Sequence, residues 1–292
     1  MNVIDAQKCT GCLTCVSVCP IPVYKKNAEN RPEFQLEKAS LCFKCGQCMA
    51  ACPEKAVKAE GLDYELDFRE IRESGIGYGG FFDFIDSRRS VRKYQNKPVP
   101  ADIIEKIINA AATAPMGFPP VKVEASVING REKMKQALKY MVDFYENLDK
   151  WMKNPVMRAV IRGNAGANQF NAIKNHVIPL MKTRLPGLKA GTEDTITRGA
   201  PAMIIFHADR KTELFHDDCV ICSTYALLAA HSLKLGASSI SLITAAFNKS
   251  DELKDLAGIP RHNEAVASVI LGYPAVKYKR NIIRKLKNIS IN

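Results

Sequence analysis

Two twelve-residue runs constrain this chain more than anything else in it. Residues 9–20, "CTGCLTCVSVCP", and residues 42–53, "CFKCGQCMAACP", both read C-x2-C-x2-C-x3-C-P. They take up eight of the ten cysteines. In a secreted chain that count would suggest disulfides. Two identical spacings point instead to metal ligation in a reducing compartment. A structural zinc site takes four ligands, usually as two pairs across a longer loop. Three cysteines at every third position, then a fourth and a proline, are the spacing that holds a [4Fe–4S] cluster.

Residues 1 to about 60 resemble the bacterial two-[4Fe–4S] ferredoxin module, whose spacing is duplicated here without deviation. In such modules the fourth cysteine of each run ligates the other cluster. That assigns Cys9, Cys12, Cys15 and Cys52 to one cluster, and Cys42, Cys45, Cys48 and Cys19 to the second. Pro20 and Pro53 help direct the fourth cysteine across. The insert from Ile21 to Leu41 is expected to form a loop or short hairpin around "KKNAENRPEF".

About four-fifths of the chain lies beyond this module. The 292 residues are enough for one large domain or two smaller ones, and 47% hydrophobic content supports a sizeable core. The start, "MNVIDAQK", has no apolar signal region. The longest apolar stretch, Val220 to Leu235, is broken by Ser223, His231 and Lys234. It reads as a buried helix and not a membrane span. The expectation is a cytoplasmic protein with no membrane partner. The net charge is +12, and the tail holds Lys277, Lys279, Arg280, Arg284, Lys285 and Lys287 without an acid. No zinc finger, RNA-binding signature or aromatic-interleaved basic face accompanies that charge, so no nucleic-acid partner is expected. A taste for anionic ligands is the better reading.

"GIGYGG" at 75–80 literally matches G-x-G-x-x-G. A dinucleotide fold also needs a strand before it and a crossover helix and second strand after it. "DYELDFRE" could be a strand, but "KYQNKPVP" interrupts too soon for the rest. The stretch 61–80 therefore reads as a glycine-containing linker between a domain at 1–60 and one at 81–292. In the second domain, "FFDFIDSRRS", "PADIIEKIINAAATA", Arg131 to Met152 and Asp217 to Leu235 read as helices, the last ending at Gly236. "VKVEASVI", "AMIIFHA", "ASSISLIT" and "AVASVILGY" read as strands. Without a strict βαβ rhythm the fold class is α+β.

"SRRSVRKYQNKPVPADIIEKIINAAATAPMG" resembles the opening of the nitroreductase family of FMN-dependent flavoenzymes. "GAPAMIIF", "YALLAAHSLKLGAS", "LAGIP" and "VASVILGYP" follow in the family's order, so the resemblance covers about 81–280. With the N-terminal module, the whole is similar to the ferredoxin-fused nitroreductases. The resemblance implies two [4Fe–4S] clusters and FMN. It places Arg88 and Arg89 at the FMN phosphate, Ser90 at ribityl or ring oxygens, and Arg92 at the O2 edge of the ring. It matches Lys279 and Arg280, with Lys277 beside them, to a second phosphate clamp. Arginine suits these roles because it is permanently charged and presents planar donors. A cation at the O2 edge favours the anionic reduced flavin.

Two departures stand out. The family loop A-P-S-G continues to an asparagine at the flavin, whereas here Ala114-Pro115-Met116-Gly117-Phe118 leads to Pro119 and Pro120. Backbone groups of Met116, Gly117 and Phe118 are expected to replace that contact. Where some members carry a glutamate and glycine beside flavin N5, the matching positions here are Ile243 and Thr244. No side-chain catalyst is expected. The family implies a homodimer, a small-molecule substrate such as a nitro compound, quinone or unsaturated metabolite, and an external donor, either a ferredoxin or NAD(P)H. Two readings compete with this oxidoreductase: an electron-transfer adaptor between protein partners, and a cluster-sensing nucleic-acid binder, which would require salt-dependent DNA binding. Cys219 and Cys222 form C-x-x-C on one face of an apolar helix, which fits core packing better than a redox pair. His207, His216 and His231 make no metal spacing.

Overall fold

The computed structural model describes residues 2–117 and 122–291. It divides into two compact units: residues 1–76 with 116–121, and residues 77–115 with 122–292. The first unit contains β1 (Val3–Ile4), α1 (Thr14–Val18), β2 (Tyr24–Lys26), β3 (Pro32–Phe34), α2 (Gln47–Ala50), β4 (Val57–Lys58) and α3 (Tyr64–Asp67). β1 pairs antiparallel with β4, and β2 with β3. The expected hairpin over the insert is therefore present. Such short strands cannot hold themselves together. Val23, Tyr24, Met49, Val57 and Ala59 form a small core that includes Cys15. "DYELDFRE" is not a strand: Asp63 accepts the backbone N–H groups of Glu65 and Leu66 and caps the helical turn α3.

The second unit begins with α4 (Tyr78–Ser87), which takes in the last three residues of the expected linker. It continues through α5 (Ala101–Ala111), β5 (Glu124–Asn129), α6 (Arg131–Lys153), α7 (Pro155–Ala172), α8 (Ile178–Ala190), β6 (Ala202–Asp209), α9 (Phe215–Ser232), β7 (Gly236–Ser239), α10 (Ser241–Phe247), α11 (Asp251–Ala257) and β8 (Asn263–Gly272). The sheet order is β5-β6-β8-β7, with every neighbour antiparallel.

β6 is buried from Ala202 to Ala208, as an apolar run interrupted only by the hydrogen-bonded His207 allows in a central strand. Met203 and Ile205 join the core containing Met134, Met141 and Tyr145 of α6. Ile204 and Phe206 alternate with them toward the other face. α9 packs on β6, β7 and β8 and on α5. Cys219, Cys222, Ala226 and Ala230 form its buried face, while His216, Asp217, Val220 and Thr224 are exposed, so the helix expected to be buried all round is buried on one side only.

"ASSISLIT" is one strand in the sequence reading but not in the fold. β7 stops at Ser239 and α10 starts at Ser241. Ile243 and Phe247, one helical turn apart, are both fully buried. That burial overrides the β-branched content. α9 also ends earlier than expected, at Ser232, leaving Gly236 as the first residue of β7. Among the described residues, no helix is long and apolar enough to cross a membrane.

Candidate functional site

The two cysteine runs fold as copies of each other. Gly11 and Leu13 have φ of 77° and 61°; Lys44 and Gly46, at the same places in the second run, have 54° and 75°. Left-handed residues in alternation make the backbone nests that cradle anions. Glycine takes one such place in each run, while Leu13 and Lys44 accept it at a cost of about 1–2 kcal/mol. Gly46 is doubly required, since a Cβ there would meet Leu62 and Phe68 at 3.1 Å.

Helices α1 and α2 start just after these turns and pack together. Cys9, Cys12, Cys15 and Cys52 then line one cavity. Cys19, Cys42, Cys45 and Cys48 line a second. Each cavity thus takes three cysteines from one run and the fourth from the other. Burial pushes Cys15 up to about 11 and also raises Cys48, though Tyr24 opposes that rise with a hydrogen bond. Such thiols lose their protons readily only to a cation that takes the charge. Cys19 Sγ lies 2.6 Å from the Ile21 carbonyl oxygen, a thiol contact that a ligating thiolate must give up. Four sulfurs per cavity fit a [4Fe–4S] cluster.

In the second unit the segment after α4 is laced to the sheet. Ser90 bridges Ala237 of β7 in parallel register, and Tyr94 bridges Pro274. Val91 N–H donates to the Ala237 carbonyl at 3.1 Å, and Gln95 N–H to that of Tyr273 at 2.8 Å. Gly236 and Gly272 permit this approach. A Cβ on the first would meet Val91 at 2.6 Å, and on the second Pro201 at 2.5 Å.

The lacing fixes two groups of arginines. In the first, burial lowers the pKa of Arg88, and the charges of Arg284 and Arg89 lower it further. Arg89 Nε is buried without a hydrogen-bond partner. Its guanidinium lies over the Tyr278 ring, 5.8 Å from the centroid, and Tyr278 donates to the Ser90 carbonyl at 3.4 Å. Asn281 donates to Asp86, tying the tail to α4. His231 of α9 belongs here too: it shares a 3.0 Å hydrogen bond with Ser87, and its pKa is lowered by burial and then by Arg88.

The second group surrounds Tyr94. Burial raises the pKa of this phenol, and Tyr278 raises it further; the charges of Arg198 and Arg92 work against the rise. Arg198 stands at φ 59° with a buried, unpartnered Nε. Its loop is built by Asp194, which accepts the N–H groups of Ile196, Thr197 and Gly199 and the Thr197 hydroxyl. Among the described residues, no carboxylate oxygen lies within 4.0 Å of Arg88, Arg89, Arg92, Arg198 or Arg284, although other surface cations are paired. Cations gathered without acids make a site for an anion.

The other sequence-derived positions are placed as follows. Lys279 and Arg280 are exposed; the tail cation whose charge acts on Arg88 is Arg284. Sequence reasoning missed Arg198 and Arg284. The only signal for Arg284 was its membership of an acid-free tail, and for Arg198 its place before "GAPAMIIF". Met116 and Gly117 belong by their contacts to the first unit. Phe118 lies outside the described residues. Ile243 is fully buried in the α6 core, and Thr244, 9% exposed, donates its hydroxyl to the Ser241 carbonyl. Cys219 and Cys222 are both buried; burial, Cys222 and Asp218 push Cys219 up to about 12. His207 is held by Ser126 at 2.9 Å and Asn263 at 2.8 Å. His216 lies 3.5 Å from Glu264.

Comparison with known proteins follows the same division. Residues 85–273 match the Nitroreductase family, and residues 8–57 match the 4Fe-4S dicluster domain. A putative NADH dehydrogenase/NAD(P)H nitroreductase of Methanothermobacter thermautotrophicus is 26% identical over 195 residues, 65% of this chain and 75% of that protein. Iodotyrosine deiodinase 1 of Rattus norvegicus is 24% identical over 204 residues, 67% of this chain but 62% of the relative. Among solved structures, a nitroreductase with bound FMN from Bacteroides fragilis superposes with a TM-score of 0.55 at 19% identity, over 72% of this chain and 98% of that one. A nitroreductase with bound FMN from Desulfitobacterium hafniense gives 0.53 at 20%, over 72% and 97%. At these identities the structural likeness shows a shared fold.

Proposed function

The chain belongs to the nitroreductase family and carries a 4Fe-4S dicluster domain ahead of it; on that premise we propose that it is an iron–sulfur flavoprotein oxidoreductase. In this reading two [4Fe–4S] clusters and FMN pass electrons to or from a small organic substrate: a nitro compound, a quinone or an unsaturated metabolite. Bound, the cofactors supply the redox chemistry, one electron per cluster and two for the flavin.

The observation that carries the proposal is the buried, partnerless Nε of Arg89 beside Arg88 and Arg284, within a set of arginines that has no carboxylate oxygen within 4.0 Å among the described residues. These three hold the FMN phosphate. Arg92 and Arg198, around Tyr94, supply positive charge for the ring edge that becomes negative on reduction. Tyr278 covers Arg89 and keeps water from its face. The eight cysteines hold the clusters as two crossed sets. The active form is a homodimer in the cytoplasm, where the free cysteines stay reduced. A ferredoxin or NAD(P)H serves as the external donor.

Flavin-free protein titrated with FMN and with riboflavin tests the phosphate assignment. Charge-assisted hydrogen bonds contribute about 1.5–3 kcal/mol each, so riboflavin should bind at least about 100-fold more weakly. Equal affinities would remove the phosphate from the arginine cluster. Anaerobically reduced holoprotein, mixed with nitroaromatic, quinone and enone substrates in turn, then identifies the acceptor class by reoxidation of the flavin.

A further inference from the structure

The two cysteine cavities repeat each other in backbone but differ in their side-chain donors. Around Cys19, Cys42, Cys45 and Cys48, two sulfurs meet buried polar side chains. Asn2 Nδ2 lies 3.2 Å from Cys42 Sγ. Asn2 is 8% exposed, and its Oδ1 accepts the Glu60 backbone N–H at 2.7 Å. That bond fixes the amide: turned over, it would set N–H against N–H and an oxygen lone pair against a thiolate. The Tyr24 hydroxyl lies 3.5 Å from Cys48 Sγ. Tyr24 is 4% exposed and packs edge-on against Phe34, with ring centroids 5.4 Å apart. A ligating thiolate can only accept, so the hydroxyl must donate.

Among the described residues, the other cavity has weaker donors: Tyr64, only half-buried, reaches Cys52 but also gives its hydroxyl to the Met49 carbonyl at 3.3 Å. Thr14 Oγ1 donates to Cys12 Sγ at 3.3 Å, but this contact is exposed and water competes for it. Cys52 Sγ receives a backbone N–H, from Ala56 at 3.2 Å. Donors to cluster sulfurs favour the more negative, reduced state, and a buried bond is not diluted by solvent.

We propose that Asn2 and Tyr24 are positioning residues dedicated to one cluster: they hold the Cys42–Cys45–Cys48–Cys19 cluster at a higher reduction potential than its cysteine frame alone would give. The two clusters are then not interchangeable as electron stores, because one carries two buried side-chain donors and the other only exposed or shared ones. This rests on the cluster content of the proposed function, and iron analysis separates the two claims. A wild-type protein without iron defeats the proposed function itself.

The experiment is an EPR-monitored redox titration of full-length holoprotein, prepared anaerobically, as wild type, Tyr24→Phe, Asn2→Ala and Thr14→Val. Tyr24→Phe and Asn2→Ala should each lower the same one of the two midpoints. The expected shift is about tenfold in the reduction equilibrium, about 59 mV for one electron. Thr14→Val should leave that midpoint in place. Midpoints that stay put in both variants, or that move together for both clusters, overturn the proposal. Should a variant lose iron, the wild-type protein decides. Proton ENDOR of the reduced cluster should show strongly coupled exchangeable protons that vanish in D2O, and their absence overturns the proposal equally.

Discussion

Replacing Gly236 with alanine should disturb the anion site without touching an arginine. The new Cβ would lie 2.6–2.7 Å from three side-chain carbons of Val91. Ordinary carbon contacts are about 3.5–4.0 Å, so something must move by about 1 Å. Val91 is 6% exposed and β-branched, so its side chain has little room to rotate away. Overpacking of this kind costs about 1–3 kcal/mol. Losing the bond from Val91 N–H to the Ala237 carbonyl adds about 0.5–1.5 kcal/mol. If the segment stays docked and keeps that bond, the second unit is destabilised by the overpacking alone, about 1–3 kcal/mol. If it lifts off β7, Arg88, Arg89 and Arg92 move with it, and FMN affinity falls about tenfold or more. Urea unfolding followed through flavin release, together with an FMN titration, reads both routes. Iron content should not change, because the cysteine cavities belong to the other unit. Gly79→Ala is the control: its Cβ would meet nothing within 4 Å, and in α4 alanine should be neutral or stabilising. A Gly236→Ala protein matching wild type in both assays would refute the claim that the β7 edge positions the arginines.

Other expectations follow from the same geometry. Arg89→Met removes a buried, partnerless donor, so FMN should bind about 10- to 100-fold more weakly in calorimetry while the flavin-free protein is no less stable. Asp194→Ala strips four hydrogen bonds from the loop that holds Arg198 left-handed; a loss of about 2–3 kcal/mol is expected in urea, with weaker FMN retention. Burial lowers the pKa of His207, so the unfolded chain takes up a proton that the folded chain refuses. Its stabilising contribution is therefore present above the unfolded value of about 6.5 and is lost as pH falls below it. His207→Gln should flatten the acid side of the stability profile. With Cys219 pushed up to about 12 and buried, iodoacetamide at pH 8 should leave it unmodified in native protein and alkylate it after unfolding, as mass spectrometry will show.

The cysteine module was legible because its information is local. Spacing marks each run, and the crossed fourth cysteine is what the resemblance to two-cluster ferredoxins implies; each cavity takes its fourth cysteine from the other run. As a cluster of cations, Arg88, Arg89 and Arg92 were legible for the same reason, sitting in one seven-residue stretch. Arg284 was not: it reaches Arg88 from nearly 200 residues away, through a tail with no regular structure, and no periodicity marks which of six cations will turn inward. Arg198 was hidden because its importance depends on Asp194 forcing a left-handed backbone, a property of a loop and not of a motif. The strand expected over "ASSISLIT" failed at Ile240. β-branched residues favour a strand locally, but burial of Ile243 and Phe247 against α6 needs them one helical turn apart. Helix and strand cannot be separated by apolar content over so few residues.

The central claim is that one chain unites two iron–sulfur clusters with a phosphate-anchored flavin. Iron, acid-labile sulfide and flavin, counted per chain on protein purified without oxygen, test it most directly. The account predicts about eight irons, about eight sulfides and one FMN. Eight irons without flavin would contradict the arginine site, and zinc in place of iron would contradict the reading of the cysteine runs.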